Sequence, residues 1–201
     1  MVYISSFPVK ILPESLETGV TRVAYMLRDM KKHESAQVTI SVAAQKTLFM
    51  DVCKRYCIEA CGVLIGNIDE QGNWWIDQVH PLRNIFDSSV YFEFDPEDLL
   101  TVELTYPGQI VGVYHSHPTG FAVASSTDRK NMQRVNQEQQ IPWVWLIISG
   151  PFDESFAQQA QGRITEAPMI AYHHYAKEGL QQITIQIVQA VMYPRMECGG
   201  L

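Results

Sequence analysis

Long apolar runs, clustered basic residues and a paired-cysteine pattern are what this chain lacks. No stretch reaches the roughly 20 apolar residues that a transmembrane helix needs. The opening Met1-Val2-Tyr3-Ile4-Ser5-Ser6 has neither the basic start nor the apolar core of a signal peptide. A soluble, cytoplasmic protein without a membrane partner is therefore expected. Lys and Arg number 15 against 22 Asp and Glu, a formal net charge of -7, so no broad phosphate-binding face and no nucleic-acid partner are expected. The four cysteines, Cys53, Cys57, Cys61 and Cys198, include no Cys-x-x-Cys pair, which argues against a disulfide framework and against a zinc ribbon. Cys53 and Cys57 can share a helix face, but ordinary packing of free thiols explains them. At 201 residues the chain is long enough to bury a core without covalent staples.

What is present reads as alternating helices and strands. Residues 1–35 form an N-terminal extension in which Val20, Val23, Ala24, Leu27 and Met30 recur at helical spacing. That amphipathic stripe packs on its own core or offers a face to a protein partner or to a second copy. A helix follows Ser41 and runs toward Tyr56, with Leu48, Phe49, Val52, Cys53 and Tyr56 facing inward. Cys61 to Gly66 and Trp74 to Val79, joined by turn residues Asp69 to Asn73, predict a hairpin. Asp95-Pro96-Glu97-Asp98 is a helix start, and that helix ends by Pro107-Gly108. Ile110 to Tyr114 is a buried strand, Ser125 to Gln140 a helix, and Trp143 to Ser149, Met169 to Tyr175 and Gln181 to Val188 are further strands. The expected fold class is α/β (α+β), a largely antiparallel or mixed sheet interleaved with helices.

The buried strand delivers His115-Ser116-His117, and Ser125-Ser126-Thr127-Asp128 begins after seven intervening residues. Side chains at i and i+2 leave the same side of a strand, and a carboxylate eleven residues on can return from the next turn to meet them. Three protein ligands leave a fourth position for water, the layout of a hydrolytic zinc centre with one Zn2+ per chain, whereas structural zinc is closed by four. Ser125-x-x-Asp128 also satisfies the helix capping-box pattern. Both readings can hold together, because a capped helix start fixes a ligand rigidly. Attack by an activated water needs a group to take its proton, and Glu59, just ahead of the Cys61 to Gly66 strand, is the candidate. Ser116 should point away from the metal by strand alternation and is read as structural.

Glu59 followed at a distance by His115-x-His117-x7-Ser125-x-x-Asp128 resembles the signature of the JAMM (MPN+, JAB) zinc metallopeptidases. The contexts Glu-x-x-Gly-x-Leu-x-Gly and Gly-x-Tyr-His-Ser-His-Pro resemble that family as well, over roughly residues 36 to 150. The resemblance implies a curved mixed β-sheet flanked by helices, of the JAMM and cytidine-deaminase-like kind, with a metallopeptidase domain at 36–195 and a flexible tail at 196–201. It implies that His115, His117 and Asp128 hold zinc, that Glu59 acts as general base and then acid, and that Ser125 supports the oxyanion. Family members cleave peptide or isopeptide bonds after the C-terminal tail of ubiquitin-like proteins, and some bacterial relatives process sulfur-carrier proteins. Eukaryotic members carry longer insertions, whereas the link from Gly66 to Trp74 is brief here. The expectation is thus a prokaryotic-type member whose substrate is a ubiquitin-like or sulfur-carrier protein. A noncatalytic MPN-type scaffold is the alternative, and a DNA-associated relative of the RadC group would call for a more basic face.

Other residues offer chemistry without a matching partner. His173 and His174 are neighbours whose rings face opposite ways in a strand and do not chelate one ion. Ser116 lacks the Gly-x-Ser-x-Gly elbow of a serine hydrolase, and Cys61 lies inside an apolar strand with no activating base. The terminal Cys198-Gly199-Gly200-Leu201 reads as a flexible end.

Overall fold

The computed structural model describes residues 36–121, 123–152 and 169–191. The expected N-terminal helix and the 196–201 tail lie outside the described residues. Strand β1 (Gln37–Ser41) passes directly into helix α1 (Val42–Lys54). Ser41 makes that switch: its Oγ accepts from the Ala44 N–H at 3.0 Å and donates to the Asp77 carbonyl at 3.1 Å, so one hydroxyl caps the helix and ties it to the sheet. The hairpin follows as expected, β2 (Cys61–Ile68) pairing antiparallel with β3 (Trp74–Leu82). Helix α2 (Pro96–Thr105) starts where the sequence places it, with Asp95 accepting from the Glu97 and Asp98 N–H groups.

Strand β4 (Ile110–His117) leads to helix α3 (Ser126–Gln133), which opens into a π-helical segment, Arg134–Glu138. The sequence pattern predicts one helix through Gln140. It is the wider π turn that ends it, and Gln140 has a φ of 55°, a left-handed conformation that no α-helix continues through. Strands β5 (Val144–Ser149), β6 (Met169–Tyr175) and β7 (Gly179–Val188) complete the sheet.

The sheet is mixed and curved, as expected, and its curvature goes to closure in the order β1-β3-β2-β4-β5-β6-β7 with β7 returning to β1. The closing strand, β1, is parallel to both of its neighbours. Sequence pattern does not foresee it, since five residues ahead of a strong helix start give too short an alternation to read.

Alternation along the central strands feeds two separate cores. Leu64, Leu146 and Ile148 join Ala44, Leu48, Phe49 and Val52 of α1 on one face. Val63, Ile65, Trp145 and Ile147 join Leu99, Val102, Met132 and Val135 on the other. A sheet covered on both faces needs uninterrupted apolar strands, which is why β2 and β5 read as continuous hydrophobic runs. Gly62 permits the tight fit beside the future site: a Cβ there would lie 2.5 Å from both the His80 carbonyl oxygen and the Tyr114 ring.

A buried polar network anchors α1 to the strand ends. Arg55 pairs with Asp51 and donates to the carbonyls of Leu82 at 2.7 Å and Cys61 at 2.8 Å, while the Tyr114 hydroxyl donates to Asp51 at 2.7 Å. Burial pushes the Tyr114 phenol well above its ordinary value, with the neighbouring Asp51 carboxylate adding to the shift. It stays a neutral donor. No described helix is long and apolar enough to cross a membrane.

Candidate metal centre

His115 and His117 leave the same side of β4 at its C-terminal end, and Asp128 lies in the first turn of α3. The three side chains meet. His115 Nε2 lies 3.0 Å from His117 Nε2, and Asp128 places one oxygen 3.4 Å from the former and the other 3.5 Å from the latter. A tetrahedral metal with bonds of about 2.0–2.1 Å to nitrogen and oxygen sets its donors about 3.3 Å apart. One ligand atom from each of the three residues lies within 4.8 Å of the other two, so the donor set suits one small divalent ion in its chemistry and converges on a single point. Among the described residues this is the one cluster of histidine, cysteine or carboxylate donors that could hold a metal.

Each donor is oriented from behind. His117 Nδ1 faces the Phe121 carbonyl at 3.0 Å, which fixes the proton on Nδ1 and leaves Nε2 with a free lone pair. The fully buried His115 ring stacks on Phe92 at a centroid distance of 4.6 Å. Asp128 completes the capping box that the sequence suggested and also faces the two imidazoles. Its carboxylate accepts from the Ser125 N–H at 2.7 Å, Ser125 Oγ accepts from the Asp128 N–H at 3.2 Å, and the same carboxylate faces both imidazoles. Burial works to raise the Asp128 pKa, but the facing imidazoles of His115 and His117 and the hydrogen bond from Ser125 outweigh it and hold the carboxyl well below the usual range. It is therefore an anion. Burial disfavours protonation of His117, yet the Asp128 carboxylate and the Phe121 carbonyl more than offset this and raise its pKa.

Glu59 lies just before β2 and is buried, 7% exposed. Burial raises its pKa, the two histidines pull against that shift, and Asp128 adds to it, so the carboxylate senses all three members of the cluster. Its peptide is gripped on every side. The Glu59 N–H donates to the Ser88 carbonyl at 2.8 Å and its carbonyl accepts from Asn84 Nδ2 at 3.1 Å. The Ala60 N–H donates to Ser116 Oγ, and the Ser116 N–H donates to the Ala60 carbonyl, both at 2.8 Å. Ser116 thus faces away from the cluster, as alternation requires. Ser125, unlike Glu59, His115, His117 and Asp128, is exposed.

Sequence reasoning missed Asn84 and Phe92. Both sit in the irregular link between β3 and α2, and no periodic signal marks a residue that works through a contact made 25 positions away.

The remaining candidates fall elsewhere. His173 is buried, its Nδ1 facing the Trp143 carbonyl at 2.9 Å and its ring packed on Trp74 and Tyr175. Burial lowers its pKa to about 4. The Cys61 thiol is pushed up by burial to about 12, so it holds no thiolate at neutral pH.

A family model described as prokaryotic homologs of the JAB domain matches residues 41–161, more than half of the chain. Among curated proteins, a desampylase of Haloferax volcanii is 37% identical over 76 residues, 36% of this chain and 52% of the relative. A desampylase of Pyrococcus furiosus is 32% identical over 95 residues, 46% of this chain and 60% of the relative. The matched stretch spans 52% to 60% of the length of these curated relatives. The solution structure of a protein from Desulfitobacterium hafniense superposes with a TM-score of 0.59 at 21% identity, over 77% of this chain and 95% of that one, and so shares its fold. With the matched span covering β2 through β5 and all three residues of the donor cluster, the chain belongs to the family of prokaryotic homologs of the JAB domain.

Proposed function

We propose that this protein is a zinc-dependent metalloprotease or isopeptidase that cleaves the bond following the C-terminal tail of a ubiquitin-like or sulfur-carrier protein. The observation that carries the reading is the convergence of His115, His117 and Asp128, one donor atom of each lying within 4.8 Å of the others. The desampylase activity named for the two curated relatives supports the same class of substrate.

His115, His117 and Asp128 would hold a single Zn2+. When bound, zinc supplies Lewis acidity and lowers the pKa of water toward neutrality. The chain's own residues do the rest. Glu59, buried and close enough to feel all three ligands, takes a proton from the attacking water and returns it to the leaving amine. Burial raises its pKa, which strengthens it as a proton acceptor. Ser125, exposed beside Asp128, is free to donate its hydroxyl to the negative charge growing on the scissile carbonyl oxygen.

Two loops bordering the cluster turn apolar side chains to solvent. Phe86 and Val90 lie on the link that touches Glu59, and Phe121 and Val123 follow His117. Apolar groups on both sides of a polar centre favour a protein chain over a small polar ligand as the occupant.

The test is mass spectrometry of fusions carrying a ubiquitin-like or sulfur-carrier tail, with zinc and with a chelator. Cleavage at the tail, abolished by chelation and by Glu59→Gln, is the expected result. A zinc-loaded wild type that leaves every tail intact while binding a partner protein would establish the scaffold reading instead.

A further inference from the structure

We propose that Asn84 and Ser116 are positioning residues that together fix the Glu59 carboxylate over the metal ligands, an inference that rests on the enzymatic reading above. The need for them follows from where Glu59 lies. It precedes β2, so its peptide groups have no partners in the strand ladder. The hydrogen bonds that hold residues 59 and 60 lie beyond the end of β2, and the side chains that supply two of them are Asn84 and Ser116.

Asn84 is 2% exposed, and its amide is fully used. Nδ2 donates to the carbonyls of Glu59 at 3.1 Å and Tyr91 at 3.0 Å, while Oδ1 accepts from the Phe86 N–H at 3.1 Å and the Glu93 N–H at 3.3 Å. Two carbonyls face the nitrogen and two N–H groups face the oxygen, so the orientation of the amide is unambiguous. Three of these four hydrogen bonds shape the link between β3 and α2. The fourth joins that link to Glu59.

Ser116 works from the opposite side. It stands between the two histidines, and its hydroxyl and N–H together bind both polar groups of Ala60. The strand that aims the metal ligands therefore also sets the height of the adjoining Glu59 segment. A shift of about 1 Å in a reacting group costs on the order of a hundredfold in rate, which is the scale at which such a clamp matters.

The experiment compares Asn84→Ala, Asn84→Asp and Ser116→Ala with wild type by kcat, KM, zinc content and amide hydrogen exchange at residues 59 and 60. Asn84→Asp keeps an acceptor for Phe86 and Glu93 but, as a carboxylate, loses the donation to both Glu59 and Tyr91, so Ser116→Ala, which leaves the hydrogen bonds of the link intact, separates positioning from shaping of the link. The expected result is a fall in kcat of roughly 10- to 100-fold, with KM and zinc stoichiometry unchanged and faster exchange at both amides. Folded, zinc-bearing variants with wild-type kcat would overturn the proposal. So would loss of zinc in step with kcat, because the residues would then act through the ligands. If Asn84→Ala fails to fold, Asn84→Asp and Ser116→Ala decide. Should wild type cleave no tail at all, the enzymatic reading fails, and the exchange rates still report separately whether the two side chains hold this segment: unchanged rates would sink the clamp.

Discussion

The two halves of the centre are built in different ways. His115, His117 and Asp128 come from one strand, one turn and the first turn of one helix, so local geometry alone brings them close. Glu59 comes from elsewhere, and its peptide is held by side chains 25 and 56 positions away. On the proposed function, the metal-binding half would thus be a property of a short segment and the proton-handling half a property of the assembled fold. Loss of tertiary order around the β3–α2 link is then expected to abolish cleavage before zinc is released.

The most severe way to break this comparison is to remove a ligand. His115→Ala and His117→Ala are each expected to abolish zinc binding and reduce cleavage to background, as read by metal analysis and by mass spectrometry of a tail fusion. Glu59→Gln should separate the halves, retaining a full equivalent of zinc while kcat falls by about 10²- to 10⁴-fold. Ser125→Ala touches both, since its hydroxyl caps the helix and, on the proposed function, donates to the oxyanion. It should lower kcat by on the order of a hundredfold and stability by about 1 kcal/mol, the latter measured by denaturant unfolding.

A group remote from the centre sharpens the contrast. His173 has a folded pKa of about 4, so it stays neutral in the native protein where the unfolded chain binds a proton near its ordinary value of 6.5. Below about pH 6.5 the unfolded state takes up protons that the native state does not, and stability falls until the pH nears 4. The loss reaches about 3 kcal/mol. His173→Gln, which can still donate to the Trp143 carbonyl, should flatten that acid decline in melting temperature and leave zinc content unchanged. The smallest effect is expected at the rim: Phe121→Ser should raise KM a few-fold with kcat unaltered, as read from steady-state cleavage of the same fusion.

The same division explains what the sequence could reveal. Periodicity and caps marked α1 at Ser41 and α2 at Asp95, and the spacing of His115, His117 and Asp128 named the three residues the fold brings together, because each signal is contained within a few turns of chain. The short β1 escaped notice, since what makes it a strand is parallel pairing with β3 and β7, not its own alternation. The π-helical end of α3 is likewise invisible to a 3.6-residue period. Asn84 and Phe92 carry no local mark at all, for one acts through a distant peptide and the other through a stacked ring.

The most direct test is a calorimetric zinc titration of chelator-stripped protein, run in parallel on wild type, Glu59→Gln and His115→Ala. The account predicts one equivalent bound by the first two and none by the third. A wild type that takes up no zinc, or a His115→Ala variant that binds it as tightly as wild type, would contradict it.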